Sequence, residues 1–321
     1  MRVLVTGADG FIGEHLQQAL AARALEFTAA VRGREPGAPE RFCAVGDIGP
    51  ATSWRAALRG IDAVVHLAGK AHVIRKPSPE LRAEFMRVNA HGTAKLAQAC
   101  VEAGVRRFVY VSSVMVLGSS TTVTPFTNAS APHPGTAYAE SKLAGEAALN
   151  SFADHLEVVV VRPPLVYGPR VKANFLRLLR WVDRGVPLPI GAVRNRRSFV
   201  SVWNLCDMLI HVLVNPVAAA GKWLVSDGCD VSTAELVREM GAALGRRTLL
   251  PRVPVGVLEV LARAVRRHAV FMQLCGSLQL DVTATRRELE WSPPVSFAEG
   301  IRRTVDWYVD ERRRVRRVSA A

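Results

Sequence analysis

The chain has 321 residues, of which 49% are hydrophobic, enough for one large α/β domain with a smaller lobe and a sizeable core. This composition excludes a membrane-spanning protein, because no uninterrupted apolar run approaches the roughly 18 residues that a span needs, and we expect no signal peptide. The net charge of +14 favours an acidic ligand and leaves peripheral association with an anionic membrane open.

Short apolar segments alternate with helical patterns through the first half of the chain. The predicted strands cover residues 3–6, 27–32, 42–45, 63–67, 108–112 and 158–162. The predicted helices cover residues 14–22, 80–104 and 139–156, and another begins at 54–58. Repeated βα units with nearly continuous apolar strands predict an α/β fold, a Rossmann-type doubly wound parallel sheet with helices on both faces.

The second half is looser, with loops rich in Pro and Gly between predicted helices at 174–183, 232–244 and 297–312. We interpret residues 1–166 as a dinucleotide-binding domain that is completed by strands from about 196–226. Residues 167–195 and 227–311 are predicted to form a smaller C-terminal substrate lobe.

The cysteines and the basic C-terminal end carry little functional signal. No C-x-x-C pair occurs, and the scattered thiols are typical of a reduced, cytoplasmic protein without a metal site: Cys43, Cys100, Cys206, Cys229 and Cys275. The arginine-rich run at 312–317 lacks interleaved aromatic residues. We therefore expect residues 312–321 to be a solvated basic tail that binds no nucleic acid.

The first predicted strand runs into a glycine-rich turn and then a helix. Gly7 permits the tight turn, Gly10 lets a phosphate approach the backbone, and Gly13 lets the helix lie close to the strand. The helix N-terminus aims backbone N–H groups and a positive dipole end at one point. The pattern therefore predicts a site for the pyrophosphate of a dinucleotide. The alternative is an ordinary glycine-rich surface turn.

Other signals fall at the carboxyl ends of the predicted strands, where ligands bind in open parallel sheets. Tyr138 and Lys142 lie one helical turn apart, so the cation is expected to lower the pKa of the phenol and fit it for acid–base work. Alternatively, they are a chance surface pair. A hydroxyl at the end of the strand 108–112, on Ser112 or Ser113, is placed to hydrogen-bond a reacting carbonyl oxygen; alternatively, it only caps the strand end. Asp47 is placed to accept from an adenine amino group, or it forms a turn. Pro163 is placed to wall a nicotinamide ring, or it ends the strand.

Several further motifs occur in a fixed order along almost the whole chain: T-G-x-x-G-F-I-G at 6–13, D-I at 47–48, H-L-A at 66–68, N-x-x-G-T at 89–93, S-x-x-V-x-G at 113–118, Y-x-x-x-K at 138–142, R-x-F-V-S-V at 197–202 and W-S-P at 291–293. Together they resemble the extended short-chain dehydrogenase/reductase family. The resemblance is to its nucleotide-sugar epimerase, dehydratase and reductase branch, in the UDP-glucose 4-epimerase-like subgroup.

The resemblance implies roles for individual residues and a homodimer. Tyr138 would be the acid/base, Lys142 its pKa partner and ribose ligand, and Ser113 the contact to the reacting sugar oxygen. Asn174 and Arg197 would hold the phosphates of a UDP-sugar, and His66 would be structural. The implied cofactor contacts are Gly7, Gly10, Phe11, Ile12, Gly13, Asp47, Ile48, Leu67, Ala68, Gly69, Lys142 and Pro163.

Three departures from the family pattern bear on the expected cofactor, reaction and pyrophosphate contacts. Arg32 stands where relatives that bind NAD tightly carry Asp, which favours NADP(H), with NAD(H) as the alternative. Val114 and Met115 follow Ser113 where a dehydratase would carry an acid. Residues 270–281 lack the arginine that many epimerases place near the pyrophosphate.

We therefore expect a 4-ketoreductase of a UDP-4-keto-6-deoxy-hexosamine, used for surface-polysaccharide (O-antigen) sugars. The first alternative is a UDP-hexose or UDP-N-acetylhexosamine 4-epimerase. The second is a non-catalytic cofactor-sensing protein, which the presence of Tyr138, Lys142 and Ser113 disfavours.

Overall fold

The computed structural model describes residues 1–33, 37–71 and 78–319 and contains two sheets. The strands are β1 Arg2–Thr6, β2 Glu26–Val31, β3 Phe42–Ala44, β4 Ala63–His66, β5 Arg107–Val111, β6 Glu157–Arg162, β7 Leu165–Tyr167, β8 Arg197–Ser201, β9 Gly221–Leu224 and β10 Asp230–Val231. The larger sheet has the order β3-β2-β1-β4-β5-β6-β9, and all its pairs are parallel. The predicted Rossmann-type sheet is thus confirmed.

The described helices lie on both faces of this sheet and in the second half of the chain: α1 Phe11–Ala22, α2 Pro79–Met86, α3 Gly92–Glu102, α4 Ala137–Asn150, α5 Ala173–Asp183, α6 Val202–Val214, α7 Thr233–Ala243, α8 Val255–Ala264, α9 His268–Cys275, α10 Thr283–Glu288 and α11 Phe297–Ser319. No helix in the described ranges is long and apolar enough to span a bilayer. Within the same ranges, no three potential metal ligands cluster.

Alternating strand residues build an apolar core on each face of the larger sheet. Val3 and Val5 of β1 belong to the cluster that α1 and α6 cover, whereas Leu4 belongs to the cluster that α3 covers. All three side chains are fully buried. Because successive side chains of a strand point to opposite faces, a strand buried on both faces must be apolar throughout.

A third apolar cluster holds the second half of the chain together. It contains Tyr167, Phe175 and Phe199, with Phe297 from the start of α11. The smaller sheet, in the order β10-β8-β7, lies beside it and pairs β8 parallel to β7 and antiparallel to β10.

Two predicted helices differ in the structure. The predicted helix start at 54–58 is wrong, because residues 55–60 form turns and Gly60 adopts a left-handed φ of 68°. The predicted helix 80–104 is broken into α2 and α3 by a π-helical turn at Arg87–His91. The Asn89 side chain in that turn donates to the Lys70 carbonyl oxygen at 2.9 Å, which is a tertiary contact that periodicity does not report.

The predicted tail is also different, because α11 continues to Ser319 rather than ending near 312. Ion pairs one turn apart stabilise this helix, such as Arg302 with Asp306 at 2.8 Å, and Arg312 pairs with the buried Asp183. Residues 320 and 321 of the predicted tail lie outside the described residues.

Candidate active site

The glycine turn joins β1, the loop after β4 and the start of α1 at one point. Gly7 has a φ of 65°, and a Cβ there would lie 2.9 Å from the Ala68 backbone. A Cβ at Gly13 would lie 2.2 Å from the Gly7 carbonyl oxygen. Gly10 precedes α1 and provides no side-chain cap. We call this turn, residues 7–13, the glycine cradle; side chains at Gly7 and Gly13 would collide with its backbone. The first backbone N–H groups of α1 have no side-chain cap and are available to bind an anion.

The loop after β4 continues the cradle toward α4. The Ala68 N–H donates to Thr6 Oγ1 at 3.2 Å, which ties Leu67 and Ala68 to the end of β1. A Cβ at Gly69 would lie 3.0 Å from Asn89 Oδ1 and 3.8 Å from Lys142 Nζ. Gly69 therefore leaves no room for a side chain between the Asn89 amide and Lys142 Nζ, so backbone alone borders this part of the site.

Phe11, Ile12 and Pro163 border the same region. Phe11 and Ile12 form the first turn of α1 and pack half-buried against the apolar core. Pro163 follows β6, is buried, and accepts a hydrogen bond from the Val114 N–H at 3.0 Å. The ends of β5 and β6 therefore meet, and the end of β1 lies at the same edge of the sheet, because all these strands are parallel.

Ser113 and Tyr138 come together at the end of β5. Ser113 caps a short 3₁₀ turn at Val114–Val116, and Tyr138 lies in the first turn of α4. Burial raises the pKa of Tyr138, and hydrogen bonding with Ser113 opposes that rise. The predicted lowering of this pKa by Lys142 is wrong here, because desolvation of the phenol outweighs every opposing influence.

Lys142 lies one turn after Tyr138 and is 4% exposed. Its Nζ stands 4.1 Å from the centroid of the Tyr110 ring. Burial lowers its pKa to about 7, although the carboxylate of Glu146 acts in the opposite direction. Desolvation therefore makes the protonated form of Lys142 unfavourable in this structure, and a negatively charged ligand nearby would favour protonation again.

A buried network that the sequence analysis missed lies beneath Lys142. Glu146 accepts from the Ser112 hydroxyl at 2.6 Å and from Arg162 Nε at 3.0 Å and Nη2 at 2.6 Å. Glu146 and Arg162 are only 1% and 2% exposed. The sequence did contain a signal for this network. Glu146 lies one helical turn after Lys142, and Arg162 lies at the end of the predicted strand 158–162.

His66 and Asn89 support the same region from the other side. The His66 ring contacts Thr6 Oγ1 at 2.7 Å and Thr93 Oγ1 at 3.0 Å. Burial first, and Lys142 second, lower the pKa of His66 to about 3, so its ring is neutral. Asn89 donates to Ser141 Oγ at 2.9 Å, and this contact joins the π turn to α4.

At the opposite end of the candidate site, Arg32 and Asp47 pair with each other. Arg32 Nε lies 2.8 Å from Asp47 Oδ1, and the side chains are 80% and 74% exposed. The neighbouring Ile48 accepts from Arg87 Nη1 at 3.4 Å. The sequence predicts separate ligand contacts for Arg32 and Asp47, whereas the structure pairs the two side chains with each other in solvent.

Asn174 and Arg197 meet at Gln273 of α9. Asn174 Nδ2 donates to Gln273 Oε1 at 2.9 Å, and Arg197 Nη1 donates to the Gln273 carbonyl oxygen at 3.1 Å. Burial lowers the pKa of Arg197. The two predicted phosphate contacts therefore share one partner, and Gln273 itself carried no recognisable signal in the sequence.

Comparisons with known proteins agree with this geometry. A model described as the NAD dependent epimerase/dehydratase family matches residues 3–225. A UDP-glucose 4-epimerase of Vibrio cholerae is 37% identical over 317 residues, which cover 97% of each protein. The solved structure of MoeE5 in complex with UDP-glucose and NAD is 28% identical, with a TM-score of 0.75, covering 97% of this chain and 99% of that one. A second solved structure is the UDP-glucuronic acid 4-epimerase of Bacillus cereus in complex with NAD. It is 22% identical, with a TM-score of 0.78, and the match covers 97% of this chain and 99% of that one. The two chains have the same fold.

Proposed function

The chain belongs to the NAD dependent epimerase/dehydratase family, and we propose that it is an NAD(P)-dependent enzyme that oxidises or reduces C4 of a UDP-sugar. The observation that carries this proposal is the convergence of Ser113, Tyr138 and Lys142 on the glycine cradle. A solved relative that binds both UDP-glucose and NAD supports it.

The roles of the chain's own residues follow from their chemistry. Tyr138 Oη transfers the proton at the sugar oxygen, and the Ser113 hydroxyl donates a hydrogen bond to that oxygen as charge develops. Lys142 binds the cofactor ribose, and its ammonium stabilises the phenolate form of Tyr138 once ligand charge favours protonation. The bound nicotinamide supplies or accepts the hydride.

For the net reaction, we propose reduction of a UDP-linked 4-keto-6-deoxy-hexosamine with NADPH, for surface-polysaccharide synthesis. Arg32 supports NADPH, because a guanidinium at the end of β2 can exchange Asp47 for a 2′-phosphate. Dehydration is disfavoured, because Val114 after Ser113 is buried and no acid takes its place.

A 4-epimerase is the second candidate, and the 37% identical relative from Vibrio cholerae favours it. It would use the same three residues with a retained NAD, since reduction and epimerisation need the same proton and hydride geometry at C4.

One experiment separates the two net reactions. Purified protein is incubated with NADPH and UDP-4-keto-6-deoxy-GlcNAc, and separately with UDP-GlcNAc and no added cofactor. Absorbance at the NADPH band and mass spectrometry of the sugars are followed. A reductase consumes one NADPH per keto sugar and leaves UDP-GlcNAc unchanged. Conversion of UDP-GlcNAc to UDP-GalNAc without cofactor consumption would replace the reductase proposal by the epimerase.

A further inference from the structure

Helix α8 carries an apolar stripe that faces solvent. Val257, Val260 and Leu261 are 48%, 68% and 57% exposed, and Ala264 continues their i, i+3, i+4, i+7 spacing. This is the spacing of one helix face. No residue of α8 is buried. Contiguous exposed apolar residues of this kind mark interaction sites, whereas singly scattered ones do not.

The opposite side of α8 explains why the stripe is presented outward. Leu258 packs against the apolar cluster of the second half of the chain and fixes the helix there. Val265, which follows the helix, is 65% exposed and lengthens the apolar surface. The helix is therefore anchored through Leu258, while about half or more of each large apolar side chain in the stripe faces solvent.

The stripe lies within a positively charged stretch of the chain. Residues 252–275, which we call the α8–α9 hairpin, contain four arginines and a single carboxylate. That carboxylate, Glu259, pairs with Arg263 at 2.6 Å. Arg252, Arg266 and Arg267 are exposed. A helix with an exposed apolar stripe and flanking arginines suits the boundary between acyl chains and anionic headgroups.

From the stripe and its charge, we propose that the α8–α9 hairpin docks the protein on an anionic phospholipid bilayer. The helix axis lies along the surface, Val257, Val260 and Leu261 enter the acyl boundary, and the arginines contact phosphates. The hairpin also carries Gln273, which bonds Asn174 and Arg197. Docking therefore places the predicted phosphate contacts of the substrate close to the membrane surface.

Vesicle co-sedimentation tests this proposal on the full chain. Vesicles of phosphatidylcholine alone are compared with vesicles that contain about one-third phosphatidylglycerol. The double variant Val260→Asp/Leu261→Asp alters the stripe, and Val217→Asp changes a residue of similar exposure, 61%, elsewhere. Arg252→Glu/Arg267→Glu removes positive charge from the hairpin, and Arg55→Glu/Arg59→Glu makes the same change in charge at exposed positions of the turns before β4.

We expect the wild-type chain to bind only the anionic vesicles and to be released by high salt. The stripe variant should lose at least about tenfold in partitioning, and the hairpin charge variant on the order of thirtyfold, while both controls bind normally. Equal binding of the stripe variant and Val217→Asp would overturn the proposal. So would absence of vesicle binding together with a dimer that the stripe variant dissociates, because the stripe would then join two copies of the chain.

Discussion

The two ends of the candidate site are built in opposite ways. Beneath Lys142, Ser112, Glu146 and Arg162 are buried and hydrogen-bonded to one another, as in the contact of Arg162 with Glu146 at 2.6 Å. At the other end, Arg32 and Asp47 make a single pair that is mostly in solvent. The buried end is therefore organised before any ligand arrives, whereas the exposed end can exchange partners at little cost in free energy.

Removing a buried charge gives the strictest test of this difference. We expect Glu146→Ala to lower the free energy of unfolding by about 3–5 kcal/mol, because Arg162 would stay buried without a counter-charge. Urea denaturation measures this. The control is Asp306→Ala, which removes an exposed partner of Arg302 and should cost no more than about 1 kcal/mol. Equal losses for the two variants would mean that the buried end is not organised by its charges.

The pH dependence of stability sharpens the comparison at Lys142. Its folded pKa of about 7 lies below the ordinary 10.5, so between these values the unfolded chain binds more protons, and stability rises with pH. Lys142→Met should remove this slope and stabilise the fold by about 2–4 kcal/mol near pH 7 but much less near pH 10. Thermal unfolding across this range measures the effect. A gain that does not change with pH would contradict the buried, deprotonation-prone lysine.

Activity tests whether the organised end performs the chemistry. Tyr138→Phe should lower turnover at least about a hundredfold, because it removes only the proton donor. Cofactor affinity and thermal stability should stay near those of the wild type, which fluorescence titration and unfolding would verify. Retained turnover in the purified variant would remove Tyr138 from the proposed role.

The exposed end should affect cofactor choice without affecting stability. If Arg32 binds a 2′-phosphate, Arg32→Asp should weaken NADPH by roughly 1.5–3 kcal/mol and leave NADH nearly unchanged. The new like charge beside Asp47 adds to this loss. Binding constants for both cofactors, measured with Arg59→Asp as the exposed control, decide the question. Equal losses for NADH and NADPH would point instead to a general effect on the nucleotide pocket.

Much of the fold was predictable because the signals are local. Apolar strands buried on both faces, and the glycines at 7 and 13, are dictated by sheet geometry and close packing. The sequence also predicted that Ser113, Tyr138 and Lys142 would lie together, since strand order and helical spacing determine where they meet.

What the sequence did not predict depends on tertiary contacts. In the π turn at Arg87–His91, Asn89 contacts the Lys70 backbone, and Arg312 of α11 pairs with Asp183 from another helix. The predicted direction of the Tyr138 pKa shift was wrong. The residue spacing places a cation near the phenol but does not reveal how deeply both groups are buried.

The closeness of Glu146 and Arg162 also constrains how this sequence can change over generations. A replacement at either position alone passes through a chain with a lone interior charge, which lies near the limit of what a marginally stable protein tolerates. Lineages should therefore keep both residues or exchange both, so positions 146 and 162 are expected to co-vary in descendants, whereas the exposed pair at 32 and 47 places no such joint demand on stability.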